Sequence, residues 1–199
     1  MALKLNGSTS GYTQVQAAAV AGSGTLTLPT ATGNLIGSGD TGTVTQTMLG
    51  ANVAGNGPAF RAYSGTNQTG IASSTSTKVR LDNKSFDTNN CFDATTNYRF
   101  TPTVAGYYQI NGGVLAGGTV NTQLLVAFLY KNGATVTQGN YIYYAAGYSN
   151  AIETVSDVIY CNGTTDYIEL YIYGSVYGTL STTSGATSVY MSGFLARSA

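Results

Sequence analysis

Histidine, the side chain most often used as a general base or zinc ligand near neutral pH, does not occur in this chain. Its absence removes Ser-His-Asp and Cys-His nucleophilic catalysis and every His-based zinc site. Two cysteines, Cys91 and Cys161, cannot alone complete a tetrahedral metal site. Carboxylates remain, and a suitably spaced pair can hydrolyse a glycosidic bond. The acids here are not arranged for it. Asp87 and Asp93 sit in a turn-rich stretch, whereas Glu153, Asp157, Asp166 and Glu169 fall among strand-like blocks. Asp82, Asp87 and Asp93 could lend loop oxygens to calcium, but solvation at the surface is the plainer reading. No catalytic residue, metal site, cofactor or enzymatic activity is expected.

Tyrosine is the remaining chemistry, with 16 Tyr and no Trp. Tyr141, Tyr143, Tyr144 and Tyr148 lie in a Gly- and Asn-flanked stretch that reads as a loop or an edge strand. A phenol ring gives rigid, amphipathic contact area, so these four are the candidate residues for touching a glycan or protein surface. The alternative is packing in a core or between subunits.

The elements that must position these rings follow from composition. Only 8% of the 199 residues are charged, against roughly 25% in an average soluble domain. The 8 basic and 8 acidic residues cancel, and no Lys/Arg cluster exists to displace counterions from a phosphate backbone. Nucleic acid is not an expected partner. No run reaches the roughly 20 apolar residues of a membrane span, and Met1-Ala2-Leu3-Lys4 is followed by polar residues rather than an apolar signal core. Synthesis in a cytoplasm, or export without cleavage, is expected. Two cysteines make no disulfide framework, and a reducing compartment favours two buried free thiols. The Asn-x-Ser/Thr triplets at Asn6, Asn67, Asn83 and Asn162 are then coincidences of a Ser/Thr/Asn-rich chain.

Composition shifts near Gly57-Pro58. Residues 1–45 hold β-like pieces at Leu3 to Leu5, Tyr12 to Gln16 and Thr25 to Leu28, separated by Gly and Ser turns. Such a thin segment cannot bury enough surface to order itself alone. It is either a stalk that orders when several copies wrap together or a flexible tether. Residues 46–57 read as a connector, and 58–199 as a domain of short strands with turn signals at Asn111-Gly112, Asn132-Gly133 and Asn162-Gly163. The spacing predicts an all-β sandwich.

Tyr167 to Tyr173 alternates cleanly, so Ile168, Leu170 and Ile172 are predicted inside and Tyr167, Glu169, Tyr171 and Tyr173 outside. Leu124 to Tyr130 is apolar on both faces, with Leu124, Val126, Phe128 and Tyr130 on one and Leu125, Ala127 and Leu129 on the other. One face of an antiparallel sandwich normally meets water, so a second copy of the chain is expected over the other. Phe60, Tyr107, Tyr108, Leu124, Val126, Phe128 and Phe194 are the candidates for that seam or for the core.

Six blocks then appear in order: Pro58-Ala59-Phe60-Arg61-Ala62-Tyr63; the aromatic-Asp pairs Phe86-Asp87 and Phe92-Asp93; Tyr98 to Tyr108; Leu129-Tyr130-Lys131-Asn132-Gly133; Asp166 to Leu170; and Tyr190-Met191-Ser192-Gly193-Phe194-Leu195. Together they resemble the C1q-like globular head, a jelly-roll sandwich of the C1q and tumour necrosis factor superfamily. The resemblance implies a homotrimer. It covers the chain from Pro58 to Ala196, and no collagen-like Gly-x-y stalk accompanies it.

The N-terminal segment resembles a different group. Asn6 to Tyr12, Thr25 to Leu35 and Thr43 to Leu49 are similar to repeats and connectors in tail-fibre and other virion proteins of tailed bacteriophages. That resemblance implies a virion structural protein made in the host cytoplasm, attached to other virion proteins through residues 1–45. Its head would touch a host-surface glycan or protein, unless it is a decoration or connector protein with no host contact.

Overall fold

Val-, Ile-, Leu- and Tyr-rich blocks with a period of two become strands because a pleated ribbon sends successive side chains to opposite faces. The computed structural model describes residues 3–6, 12–15, 56–144 and 150–199, and none of these is helical. The chain divides into two units, Met1–Thr43 and Val44–Ala199. In the first, β1 (Leu3–Asn6) and β2 (Tyr12–Val15) form an antiparallel hairpin with Leu3 opposite Val15. The expected strand at Thr25 to Leu28 lies outside the described residues.

The second unit contains β3 (Ala59–Tyr63), β4 (Ile71–Ala72), β5 (Thr77–Lys78), β6 (Asn83–Asp87), β7 (Phe92–Asp93) and β8 (Arg99–Phe100). There follow β9 (Gly106–Lys131), β10 (Ala134–Gln138), β11 (Ile142–Tyr143), β12 (Asn150–Cys161), β13 (Ile168–Thr182) and β14 (Val189–Ser198). Strand β9 serves both layers. Residues 106–117 pair with β12 on one side and β14 on the other, and β14 continues the first sheet to β3 and then β6. Farther along, β9 pairs with β13 and with β10 and β11, while β4, β5 and β8 add to β13. The result is an all-β jelly roll.

The two layers close on one core. Ile110, Val114, Met191 and Leu195 from the first sheet meet Leu125, Leu129, Ile168, Leu170 and Ile172 from the second. Each such side chain contributes about 1.5–3 kcal/mol when fully buried. At one end Phe60 stacks on Phe100 with ring centroids 4.3 Å apart, and on Phe92 at 5.1 Å. Tyr108 meets the edge of Phe100 at 5.4 Å, and its hydroxyl donates to the Val104 carbonyl at 2.7 Å. Phe60 and Tyr108 are thus core residues of a single chain. Ile168, Leu170 and Ile172 face inward as their alternation requires.

Asn132 and Gly133 both adopt positive φ, 53° and 79°, and turn β9 into β10 as the dipeptide predicts. Asn111-Gly112 does not turn. Both residues lie inside β9, with Gly112 opposite Val155 of β12 and Met191 of β14. The glycine serves packing between layers: a Cβ there would stand 2.6 Å from Leu170 Cδ1.

The expectation that a sister copy covers Leu124 and Val126 is also corrected. These residues are 3% and 0% exposed within one chain. Tyr143 is the cross-strand partner of Leu124, and Tyr173 that of Val126. Short aliphatic side chains flanked by such rings are shaded by them, because cross-strand Cβ atoms are only about 5 Å apart. Phe128 and Tyr130 are half-buried on the same face, where Tyr130 stacks on Tyr171 at 3.9 Å.

Candidate functional site

Exposed apolar surface gathers on the outer side of the first sheet instead. Strands β9, β12 and β14 alternate there, so Tyr107, Gln109 and Asn111 point out beside Ile152, Ser156, Val158 and Tyr160. Val158 is 52% exposed and Phe194 50%. They flank Gln109 from opposite sides, and Tyr107 lies opposite Tyr160 with rings 5.5 Å apart. Between these apolar groups is a small amide and hydroxyl layer. Gln109 Nε2 donates to Ser156 Oγ at 2.9 Å, and Ser156 Oγ donates to Asn111 Oδ1 at 2.8 Å. A hollow of about 590 Å³ opens at the rim, lined by Tyr107, Val158 and Arg197 among others. Apolar groups around satisfied amides make a face suited to another protein surface.

A second exposed feature lies at the edge of the other sheet. Tyr143 is 72% and Tyr141 54% exposed, with ring centroids 5.6 Å apart and planes at 73°. Tyr144 behaves differently: its ring packs against the core and its hydroxyl donates to a carboxylate oxygen of Glu153. Tyr148 lies outside the described residues. Of the four tyrosines singled out by sequence, two are therefore presented to solvent as a pair and one is an anchor.

Glu153 is buried, and no cation pairs with it among the described ion pairs. Burial pushes its carboxyl up from the ordinary value, partly offset by the Tyr144 hydroxyl bond. Burial and then Glu153 push the Tyr144 phenol up to about 12. Sequence reasoning missed this pair because the partners are nine residues apart, Tyr144 just past β11 and Glu153 within β12.

The remaining titratable groups serve the scaffold. Asp93 accepts from the amides of Thr95, Thr96 and Asn97, and the Thr96 and Thr95 amides hold its carboxyl well below the usual range. Asp87 accepts from the Cys91 and Phe92 amides and pairs with Lys84 at 3.0 Å. Asp82 accepts from the Gly65 amide and the Thr66 hydroxyl. Asp87 and Asp93 thus complete their own turns and Asp82 ties down the loop at Gly65 and Thr66, and among the described residues no cluster of three or more His, Cys, Asp or Glu could hold a metal ion. Lys131 bridges Asp166 at 2.8 Å and the Tyr160 carbonyl at 2.7 Å. Cys91 and Cys161 are both free and buried, and burial pushes the Cys161 thiol up to about 12. An inert thiol of that kind is packing, not chemistry.

No family model matches the chain, and no curated protein does. Solved structures do share its fold. The globular domain of zebrafish complement 1qA protein superposes with a TM-score of 0.51 at 17% identity, covering 71% of this chain and 99% of its own. The Eiger TNF structure from S. frugiperda gives 0.52 at 8% identity, over 71% of this chain and 93% of its own. Murine APRIL at pH 5.0 gives 0.51 at 11%, over 68% and 96%. The head is a C1q/TNF-like jelly roll.

Proposed function

We propose that this chain is a non-enzymatic structural and binding protein of a tailed-bacteriophage particle, assembled as a homotrimer through its jelly-roll heads. The observation that carries the assembly is the outer face of β9, β12 and β14. Tyr107, Val158, Tyr160 and Phe194 are all 42% exposed or more and gather around Gln109 on that one surface, where scattered apolar residues on monomers need no partner but a gathered group does. The β9 part of that face, residues 106–130, contains no charged side chain, and Arg197 of β14 stands at its rim. The Gln109, Asn111 and Ser156 layer would lie inside the seam with its hydrogen bonds already made.

The particle assignment is supported by the resemblance of residues 6–49 to virion-protein repeats and connectors. Residues 1–45 would join the chain to other virion proteins. Three heads on one base multiply a weak contact, because the second and third engagements become intramolecular. The exposed pair Tyr141 and Tyr143 favours a head that touches the host surface, as a fibre or tail appendage does, over a decoration protein without host contact.

Gold-labelled antibody against the head, applied to phage particles from cells carrying the gene, tests the particle assignment. Labelled tails or capsids are expected, and unlabelled particles would overturn it. Native mass spectrometry of the purified chain tests the assembly, with three times the 20.5 kDa of one chain as the expected mass.

A further inference from the structure

The edge carrying Tyr141 and Tyr143 is held at both ends. Before it, the Gly139 amide donates to the Ala127 carbonyl at 2.8 Å, and a Cβ on Gly139 would lie 2.3 Å from the Thr154 carbonyl oxygen. The backbone is pressed between β9 and β12, and only glycine fits. After it, Tyr144 turns inward and bonds the buried Glu153. Burying a carboxylate with a hydroxyl for a partner is unfavourable for stability. The arrangement fixes a short span of chain whose two outward rings stay more than half exposed. Rigid placement of contact groups lowers the entropy lost on binding.

We infer that Tyr141 and Tyr143 form a binding ledge for an uncharged sugar unit of a glycan. The inference rests on the reading of the head as a binding module and names its ligand class. Two rings at 73° make a corner: one can lie under the C–H face of a sugar ring while the other borders it. Exposed amides precede them directly in the chain at Gln138 and Asn140, and both donate and accept hydrogen bonds as sugar hydroxyls require. The ligand is uncharged because no Asp, Glu, Lys or Arg occurs from Asn132 to Ile152, nor from Leu170 to Thr182 on β13. Nothing there would pair a carboxylate or sulfate. A protein partner fits less well, since a stable protein seam buries about 800 Å² on each side and two rings cannot supply that.

The test is a glycan array of neutral, sialylated and sulfated oligosaccharides, followed by calorimetric titration of the full-length protein with the best neutral binder. Binding of a neutral oligosaccharide is expected. Tyr141→Ala and Tyr143→Ala should each weaken it by about tenfold or more, as removal of a central aromatic contact does. Phe86→Ser, which removes an exposed ring elsewhere, should leave it unchanged. Binding confined to acidic glycans, no binding at all, or affinities indifferent to both tyrosines would overturn the inference. So would loss of self-association in Tyr141→Ala or Tyr143→Ala, which would make a second copy the occupant. Light scattering on the same wild-type sample separates the two readings. A single chain that binds neutral sugar through these tyrosines would sink the trimer and leave the ledge standing.

Discussion

Replacing Val158 or Phe194 by glutamate should dissolve the assembly and leave the head folded. Each side chain is about half exposed in the isolated chain, at 52% and 50%. Within one chain the change therefore behaves as a surface substitution, within about 0.5 kcal/mol. At a seam the same change acts twice. It removes the apolar gain of covering the exposed half, about 1 kcal/mol for a side chain worth 1.5–3 kcal/mol when fully buried. It also strips water from a carboxylate beside Gln109, whose amide is already used by Ser156; Arg197 lines the hollow next to Val158, so Phe194→Glu is the cleaner of the two variants. Leaving a buried charge uncompensated costs about 3–5 kcal/mol. A combined loss of about 4 kcal/mol per seam weakens association by about a thousandfold, and a ring of three has three seams. Size-exclusion chromatography with light scattering across a dilution series should show trimeric wild type and monomeric variants, with unchanged far-ultraviolet circular dichroism and similar melting. Variants that stay trimeric at every concentration would refute the placement of the seam.

Other consequences follow from the interior. Phe100→Ala should lower stability by about 3–5 kcal/mol, read as a shift of the urea midpoint, because the ring is 0% exposed and touches both Phe60 and Tyr108. Gly112→Ala should lower it by about 1–3 kcal/mol, since Leu170 Cδ1 would be 2.6 Å from the new methyl; an unchanged midpoint would mean the layers are less tightly closed. Asp93→Ala removes three hydrogen bonds donated by backbone amides of one turn and should cost about 1–2 kcal/mol by the measure of a lost cap, with the difference vanishing in acid as the wild-type carboxyl protonates.

Glu153 should act in the opposite sense. Its folded value lies above the ordinary 4.5, so the unfolded chain ionises first and stability falls as pH rises from 4.5 toward the folded value. Above that value the penalty is constant. Glu153→Gln should therefore gain on wild type as pH rises above 4.5, seen as diverging urea midpoints; parallel midpoints would show that the carboxyl is not penalised by burial.

Much of the head was legible because its signals are local. The clean alternation of Tyr167 to Tyr173 put the correct three residues inside but left Glu169 outside, whereas the structure buries it against Lys78 at 2.6 Å, and Asn132-Gly133 made the turn that its chemistry demands. Failures came where a distant partner decides. Asn111-Gly112 carries a turn signal, but the glycine is required by Leu170, 58 positions later in the numbering of the chain. Leu124 and Val126 read as a face awaiting a sister copy because sequence cannot show that Tyr143 and Tyr173 are folded beside them. The exposed face was marked only in part, by Tyr107 and Phe194 among the candidates for seam or core, while Ile152, Val158 and Tyr160 were not singled out. Only the register with Val158, Tyr160 and Phe194 brings its apolar residues together. Among the tyrosines, the pattern marked the right stretch, yet the division into two presented rings and one anchor depends on Glu153.

Sedimentation equilibrium of the purified full-length chain at micromolar concentration tests the central claim most directly. A single species at three times 20.5 kDa is the predicted result. A stable species at the mass of one chain, with the β9, β12 and β14 face open to water, would contradict it.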